Sequence, residues 1–443
     1  MPSQLFSASV PRIDRVDRPR HHAFLRLLAG GDPESREWLC ARAGLLVLRY
    51  VDAWSSGEWL PVQLLAERAA VADAIVEIPR GDQMRGLLSA ILDRTSTDWA
   101  IAANGEPFPH PPSVARVAAP LLAYAHALQF SSDWALASQV YLTVWNACGP
   151  HAVHAQAPGD LESATVAALR LGACYRMLGE VEQANAAYEA AVALAKHTGD
   201  LRTVFLARLG LAKLVQDRGN LPLADSCIAS VVSEATTAQL LDIRACAFHE
   251  RAVVAYHRGQ YRNAIEWGFE SWAIERDARE RQRVLCDLAV ALLAAGHRDV
   301  SRAAHQMLAD DASEPLTRWA ALLNLIDIST LDRDEAEYQR VRRALRSVSL
   351  PPRFAANYHY YVGIAEFTFG RALRATTELE RAVSLAEEHR FGELLIKAES
   401  ALLMVRNGQK APASVPAAPL PPEFGYISDA LHGAWAAASV GAD

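Results

Sequence analysis

Apolar side chains recur at spacings of three and four along most of the chain, the period of one face of an α-helix and not the alternation of a strand. The stretch 168–195, ALRLGACYRMLGEVEQANAAYEAAVALA, shows the form: an apolar stripe, a break at Gly179, and a second stripe that resumes within a few residues. Such breaks fall at Gly179, Gly219, Gly259, Gly296 and Gly370, at intervals of 40, 40, 37 and 74, the last being twice 37. Five residues after each stands a small side chain: Ala184, Ala224, Ala264, Ser301 and Ala375. A fixed period of this length marks a stacked repeat whose single unit cannot bury its apolar face alone. Each unit is therefore predicted to be two helices. The first ends at a glycine able to take positive φ, and the second runs back antiparallel.

In 168–195 the residues Leu171, Gly172, Tyr175, Gly179, Ala184, Tyr188 and Ala191 form L-G-x-x-Y-x-x-x-G-x-x-x-x-A-x-x-x-Y-x-x-A. This spacing resembles the tetratricopeptide repeat position for position. The segment 249–274 repeats it with Ala252, Gly259, Tyr261 and Ala264, and 205–238 with Leu211, Ala212, Gly219 and Ala224. In 121–145 Ala125, Trp134, Ala137 and Tyr141 fit, with Ser132 in place of the turn glycine; 360–383 is again clear, and a degenerate unit at 319–352 fills the 74-residue gap. Seven units are expected, beginning near 118, 165, 205, 245, 282, 319 and 356. Their period exceeds the basic repeat of about 34 residues. In this they look like the longer units of signalling-type repeat proteins such as kinesin light chains and bacterial peptide-sensing regulators. The links Gly159-Asp160-Leu161 and Gly199-Asp200-Leu201 are expected to close one helix at glycine and cap the next with aspartate. The resemblance covers roughly 118–406 and implies an all-α, right-handed superhelical solenoid of antiparallel helix pairs.

The flanks divide by composition. Residues 1–20 read as a solvated, flexible tail in which Arg12, Arg15, Arg18 and Arg20, with His21 and His22 just beyond, are diluted by Asp14 and Asp17. Residues 21–113 read as an N-terminal helical region, a cap or diverged repeats, the cap being preferred because a solenoid needs a terminal unit with a polar outer face. Within it, Asp32-Pro33-Glu34 is expected to cap a helix with proline at its first position, followed by helices near 61–78 and 82–95 and a proline-rich break at 103–113. The array then runs over 114–406, its end covered by a helix at 391–406. A Pro/Ala-rich linker follows at 407–422, and 423–443 form a short amphipathic helix and the C-terminus. Phe424, Ile427, Leu431 and Trp435 line one face of that helix, which fits either a helical groove as a tethered ligand or the outside of its own solenoid.

A net charge of −7 and a pI near 6.1 give no general attraction for nucleic acid. Cys40, Cys148, Cys174, Cys227, Cys246 and Cys286 form no CxxC pair and read as small core residues. With no signal-like segment and no apolar run of membrane-spanning length, the cytoplasm is the expected location. The sequence contains no Gly-rich phosphate loop and no Gly-x-Ser-x-Gly. His297-Arg298-Asp299 matches a kinase triplet, but Ala304 stands where the required asparagine would be, so it reads as a repeat turn. His151 and His154 lack the glutamate of a zinc helix. No catalytic residue, metal or cofactor is expected, and the chain is read as a non-enzyme.

In the tetratricopeptide family the groove is lined by the first helix of each unit. The resemblance implies a partner-binding groove of His126, Gln129 and Phe130, then Arg170, Arg176 and Met177, then Lys213, Gln216 and Asp217. Next come His249, Glu250, Tyr256 and His257, then Arg283, Asp287, Asn324 and Asp327, and finally Asn357, Tyr360 and Phe367. Co-chaperone members grip a terminal carboxylate with lysines and asparagines; here Lys213 is the one lysine at the relevant positions, so a heat-shock adaptor is disfavoured. The expected function is a scaffold or adaptor that binds a peptide or helix of a protein partner. The alternatives are a regulatory sensor whose groove holds its own C-terminal helix, and a subunit that self-associates through that tail.

Overall fold

The computed structural model describes residues 10–11, 13, 19–56, 61–95, 115–150, 158–348, 350–389, 391–409 and 417–440. These form α-helices and one short 3-10 turn, with no strand among the described residues. Four helices come first: α1 (His22–Gly30), α2 (Arg36–Ser56), α3 (Pro61–Glu77) and α4 (Gln83–Arg94). Seven helix pairs follow: α5 (Ala115–Phe130) with α6 (Trp134–Cys148), α7 (Pro158–Met177) with α8 (Val181–Thr198), α9 (Leu201–Asp217) with α10 (Leu221–Thr237), and α11 (Leu241–His257) with α12 (Tyr261–Ile274). The series continues with α13 (Ala278–Ala294) and α14 (Arg298–Asp311), α15 (Pro315–Leu331) and α16 (Glu335–Arg346), and α17 (Pro352–Thr368) and α18 (Ala372–Glu388). A single helix, α19 (Gly392–Arg406), closes the series, and α20 (Gly425–Val440) lies beyond it. Two compact units divide at Val231/Val232, inside α10.

Every pair turns by the same device. The residue that closes the first helix is left-handed: Gly179, Gly219, Gly259, Gly296 and Gly370 have φ between 70° and 90°. Its N–H reaches back three residues and the next N–H reaches back five, as in Gly179 N to Arg176 O at 3.1 Å and Glu180 N to Tyr175 O at 2.9 Å. This double bond pattern satisfies the last carbonyls of the helix. The two units without a turn glycine make the same turn on L-residues, Ser132 at φ 65° and Arg333 at φ 57°, with Asp133 N to Leu128 O at 2.9 Å and Asp334 N to Ser329 O at 2.8 Å. The degenerate unit is thus a full helix pair, and all seven pairs share one turn geometry. The last five first helices begin at 201, 241, 278, 315 and 352, each a constant four residues before the unit starts read from sequence.

Close packing follows the repeat's small positions. In unit 1 the Tyr188 ring lies between Gly172 on α7 and Gly210 on α9, where added Cβ atoms would come within 2.6 Å and 2.3 Å of it. In unit 2 Ser301 is fully buried, and its hydroxyl donates to Ala289 O at 2.8 Å, so a polar side chain satisfies itself where Ala stands in five of the other six helix pairs. Glu366, also fully buried, accepts from Tyr338 Oη and Arg342 Nη1 at 2.7 Å each and from Arg371 Nε, tying α16, α17 and the turn before α18 together. All six cysteines are free, and four of them are buried.

Three local readings change. Pro158 starts α7, so Gly159 lies inside its first turn and closes no helix. Asp200, the other aspartate of that pattern, does cap α9, accepting from Thr203 N at 3.1 Å. Asp32 makes a turn with Glu34 N at 3.1 Å, which leaves Ser35 to accept from Trp38 N at 3.2 Å and start α2 at Arg36. In the segment read as a solvated tail, Val10 and Ile13 are buried at 3% and 6%, because their side chains are apolar and the core of unit 1 receives them. His21 Nε2 meets Asp52 at 3.0 Å and His22 Nδ1 meets Gln139 at 3.2 Å; Arg12, Arg15 and Arg18 lie outside the described residues.

Candidate functional site

First helices of successive pairs touch one another: α5 with α7 and α7 with α9 in unit 1, and α11, α13, α15, α17 and α19 in turn in unit 2. No comparable contact joins successive second helices among the described residues. In each unit the first helices therefore form the closer-packed layer, and their free faces share one surface. None of the groove residues read from sequence is buried.

Some of these residues pair along the layer. In unit 1, Arg176 on α7 meets Asp217 on α9 at 3.2 Å. Tyr141 donates to Gln129 at 3.0 Å, and burial together with the nearby Arg170 charge lowers the pKa of His126. Phe130 and Met177 are exposed, Phe130 at 54%. Lys213 and Gln216 are half-buried.

In unit 2, His249 Nε2 meets Asp287 at 2.7 Å across α11 and α13. Arg283 pairs locally with Glu280 at 3.0 Å, and Glu250 is half-buried. Asn324 and Asn357 each donate 2.9 Å bonds to the carbonyl four residues back in their own helix, Ala320 and Arg353. Phe367 packs with Tyr360, Ile364 and Val383 on the apolar cluster between α17, α18 and α19.

Part of this surface is a cavity of about 330 Å³ between α17 and α19, walled by Arg353, Asn357, Tyr360, Tyr361, Phe391, Glu393 and Lys397 among others. Lys397 Nζ meets Glu393 at 2.6 Å, so each holds the other in its charged form. Burial, with a smaller contribution from the Asp327 charge, raises the pKa of Tyr256, Tyr360 and Tyr361. Burial pushes Asp327 up to about 6. Of the cavity wall, the groove positions read from sequence include Asn357 and Tyr360. They leave out Tyr361, next to Tyr360 on α17, and Glu393 and Lys397, because α19 was read only as a cover; the Glu393/Lys397 spacing of four was the available signal.

The tail lies elsewhere. Phe424, Ile427 and Leu431 are buried at 4%, 0% and 3%, in a cluster with residues of α11 to α15 such as Ile265, Trp272 and Leu308. Arg262 on α12 stacks 5.7 Å from the Phe424 ring and pairs with Glu423 at 3.5 Å, and Phe269 meets Tyr426 edge-on at 5.0 Å. Ala418 N donates to Gly296 O at 2.9 Å, in the turn between α13 and α14. The seat of the tail is thus on second helices and a turn, and the arrangement with its own helix in the groove is not the one observed. The side chain of Trp435 lies outside the described residues, as do His151 and His154. His297-Arg298-Asp299 begins α14, with Arg298 buried and bound to Asp332 at 2.5 Å, a structural repeat turn.

Among the described residues no helix is long and apolar enough to cross a membrane, and no cluster of His, Cys, Asp and Glu has metal-binding geometry. No family model matches the sequence, and no curated protein matches it. Among solved structures the chain is similar to a tetratricopeptide repeat protein from Parabacteroides merdae, at 16% identity over 64% of this chain and 98% of that one, with a TM-score of 0.42. It is also similar to the Rap conjugation gene regulator of plasmid pLS20 in complex with the Phr* peptide, at 13% identity, 80% and 98% coverage and a TM-score of 0.49. A Rap protein complexed with competence and sporulation factor gives 10% identity, 83% and 98% coverage and a TM-score of 0.43. Identities and scores this low tie none of those proteins' activities to this chain.

Proposed function

We infer that this protein is a non-enzymatic binding protein that holds a peptide or helix of a protein partner against its first helices. The observation that supports this reading most is the cavity between α17 and α19, whose wall alternates tyrosines with charged and amide groups. Such a mixture suits a peptide: aromatic faces take apolar side chains, while fixed polar groups set its register. Asn324 and Asn357 add side-chain oxygens that accept no bond among the described residues. The test is photocrosslinking in the native host. A crosslinking residue at Asn357 or Arg170 should capture one defined partner that the same residue at Leu373, 88% exposed on α18, does not capture. Identical products from all three positions would remove the groove as the site.

A further inference from the structure

The wall of the cavity between α17 and α19 carries one surplus cation. Its charged groups are Arg353, Glu393 and Lys397, and Lys397 is paired with Glu393 at 2.6 Å, which leaves Arg353. The Arg353 side chain, exposed in the first turn of α17, has no ion pair and no hydrogen bond among the described residues. Its guanidinium lies 5.8 Å from the ring centroid of Phe391, another wall residue, so the charge is held against the cavity wall. Charges beyond the wall also bear on the site. Asp327 on α15 acts on Tyr360 and Tyr361, and His257 on α11 acts on Glu393, but neither lines the cavity. His389 stacks on Phe391 with centroids 5.7 Å apart and meets Glu388 at 3.9 Å; Arg390 lies outside the described residues.

The rest of the wall shows what the free cation would meet. Asn357, one turn beyond Arg353, donates from Nδ2 to Arg353 O at 2.9 Å, so its Oδ1 is left to accept, as from a peptide N–H. Tyr360 and Tyr361, with ring centroids 5.4 Å apart, join Phe391 and the buried Leu394 as the apolar part of the wall. A guanidinium takes a carboxylate through two parallel bonds, whereas a second cation there would face like charge. A side-chain carboxylate brings its charge on methylene groups that the rings can cover; a terminal carboxylate sits directly on the backbone.

Resting on the peptide-binding reading above, we propose that this cavity is an anion subsite, in which Arg353 receives the carboxylate of a Glu or Asp side chain of the bound peptide and Asn357 Oδ1 accepts a backbone N–H beside it. The subsite sets the register of that peptide on unit 2.

The probe is a set of N-acetylated, C-amidated hexapeptide pools with Glu, Asp, Gln, norleucine or Lys fixed at one position, and a matching set of Gln pools with a free C-terminal carboxylate, passed over the immobilised full chain. At one position the Glu or Asp pool should be retained about tenfold better than the Gln pool, the factor one charge-assisted bond supplies. Arg353→Gln should abolish that preference while the Gln and norleucine pools are retained as before and the melting temperature holds. Arg353→Lys, which keeps the charge and loses the fork, should keep part of it. Arg381→Gln on α18, a side chain 60% exposed, should leave it intact; equal loss there would reduce the preference to net charge and overturn the subsite. A Glu preference that survives Arg353→Gln, or retention with no Glu preference, also overturns the subsite and leaves the peptide groove standing. Preference for the free-terminus set in place of Glu overturns the side-chain assignment. Retention of no pool by the wild-type chain overturns both the subsite and the groove.

Discussion

At the scale of single residues the turn positions are where sequence and backbone disagree most usefully. Ser132 takes a left-handed conformation that costs an L-residue roughly 1–2 kcal/mol, and glycine takes it freely. Ser132→Gly is expected to stabilise unit 1 by about 0.5–1 kcal/mol after the larger chain entropy of glycine is subtracted. Denaturant titration followed by helical circular dichroism measures this, and a lower midpoint would mean that the serine side chain contributes more than its strain. The turn bond from Ser132 N to Gln129 O at 3.0 Å is a backbone bond that glycine keeps. Gly210 shows the opposite case. Its φ needs no glycine, but Tyr188 leaves no room for a Cβ, which makes the residue a packing requirement.

At the scale of elements the tail helix is the clearest case. Its apolar stripe is seated on α12 and α14, with Ile427 fully buried. Ile427→Asp places an unpaired carboxylate in that cluster and is expected to release α20 at a cost of several kcal/mol to the docked state. Hydrogen exchange should then rise along α20 and the facing parts of α12 and α14, while α17 and α19 keep their protection. Faster exchange throughout α17 and α19 as well would show that the tail supports the whole of unit 2. The network around Glu366 works between elements too: three donors from α16 and the α17–α18 turn converge on one buried carboxylate, so removing it leaves the Tyr338 hydroxyl without its acceptor and each arginine with one remaining carboxylate, Glu378 for Arg342 and Glu335 for Arg371.

At the scale of the molecule a buried histidine and a half-buried aspartate pull the acid stability in opposite directions. His305 on α14 is fully buried with neither ring nitrogen bonded, and burial pushes its pKa down to about 3. The unfolded chain therefore binds a proton that the native chain refuses as pH falls from about 6.5 toward 3, and stability is lost over that window. Asp327 behaves in reverse: its pKa is raised to about 6, so the native chain holds a proton the unfolded chain has released, and stability is gained as pH falls from 6 toward 4. The histidine window is the wider, so between these two groups the loss on acidification outweighs the gain. His305→Leu should flatten the fall in melting temperature between pH 6.5 and 4, a difference on the order of a few kcal/mol. If wild type and variant keep parallel pH profiles, the histidine is not the group that titrates.

The sequence alone determined the helix pairs, their number and most of their turns. This was legible because the left-handed residue at a helix end, the small residue five places on and the ring that fills the gap are local requirements that recur with the period. Where another residue met the same backbone need, at Ser132 and Arg333, only the regular spacing of the neighbouring units revealed the turn. The tertiary structure decided the rest. An apolar stripe states that a helix face is covered but not what covers it, so the seat of Phe424, Ile427 and Leu431 on second helices was open until the fold was seen. The groove positions could be carried over one unit at a time, but which of their charges pair depends on distances between helices. That is why the cavity walled by Asn357, Tyr360 and Tyr361 with Glu393 and Lys397 from the closing helix emerges only when α17 and α19 come together.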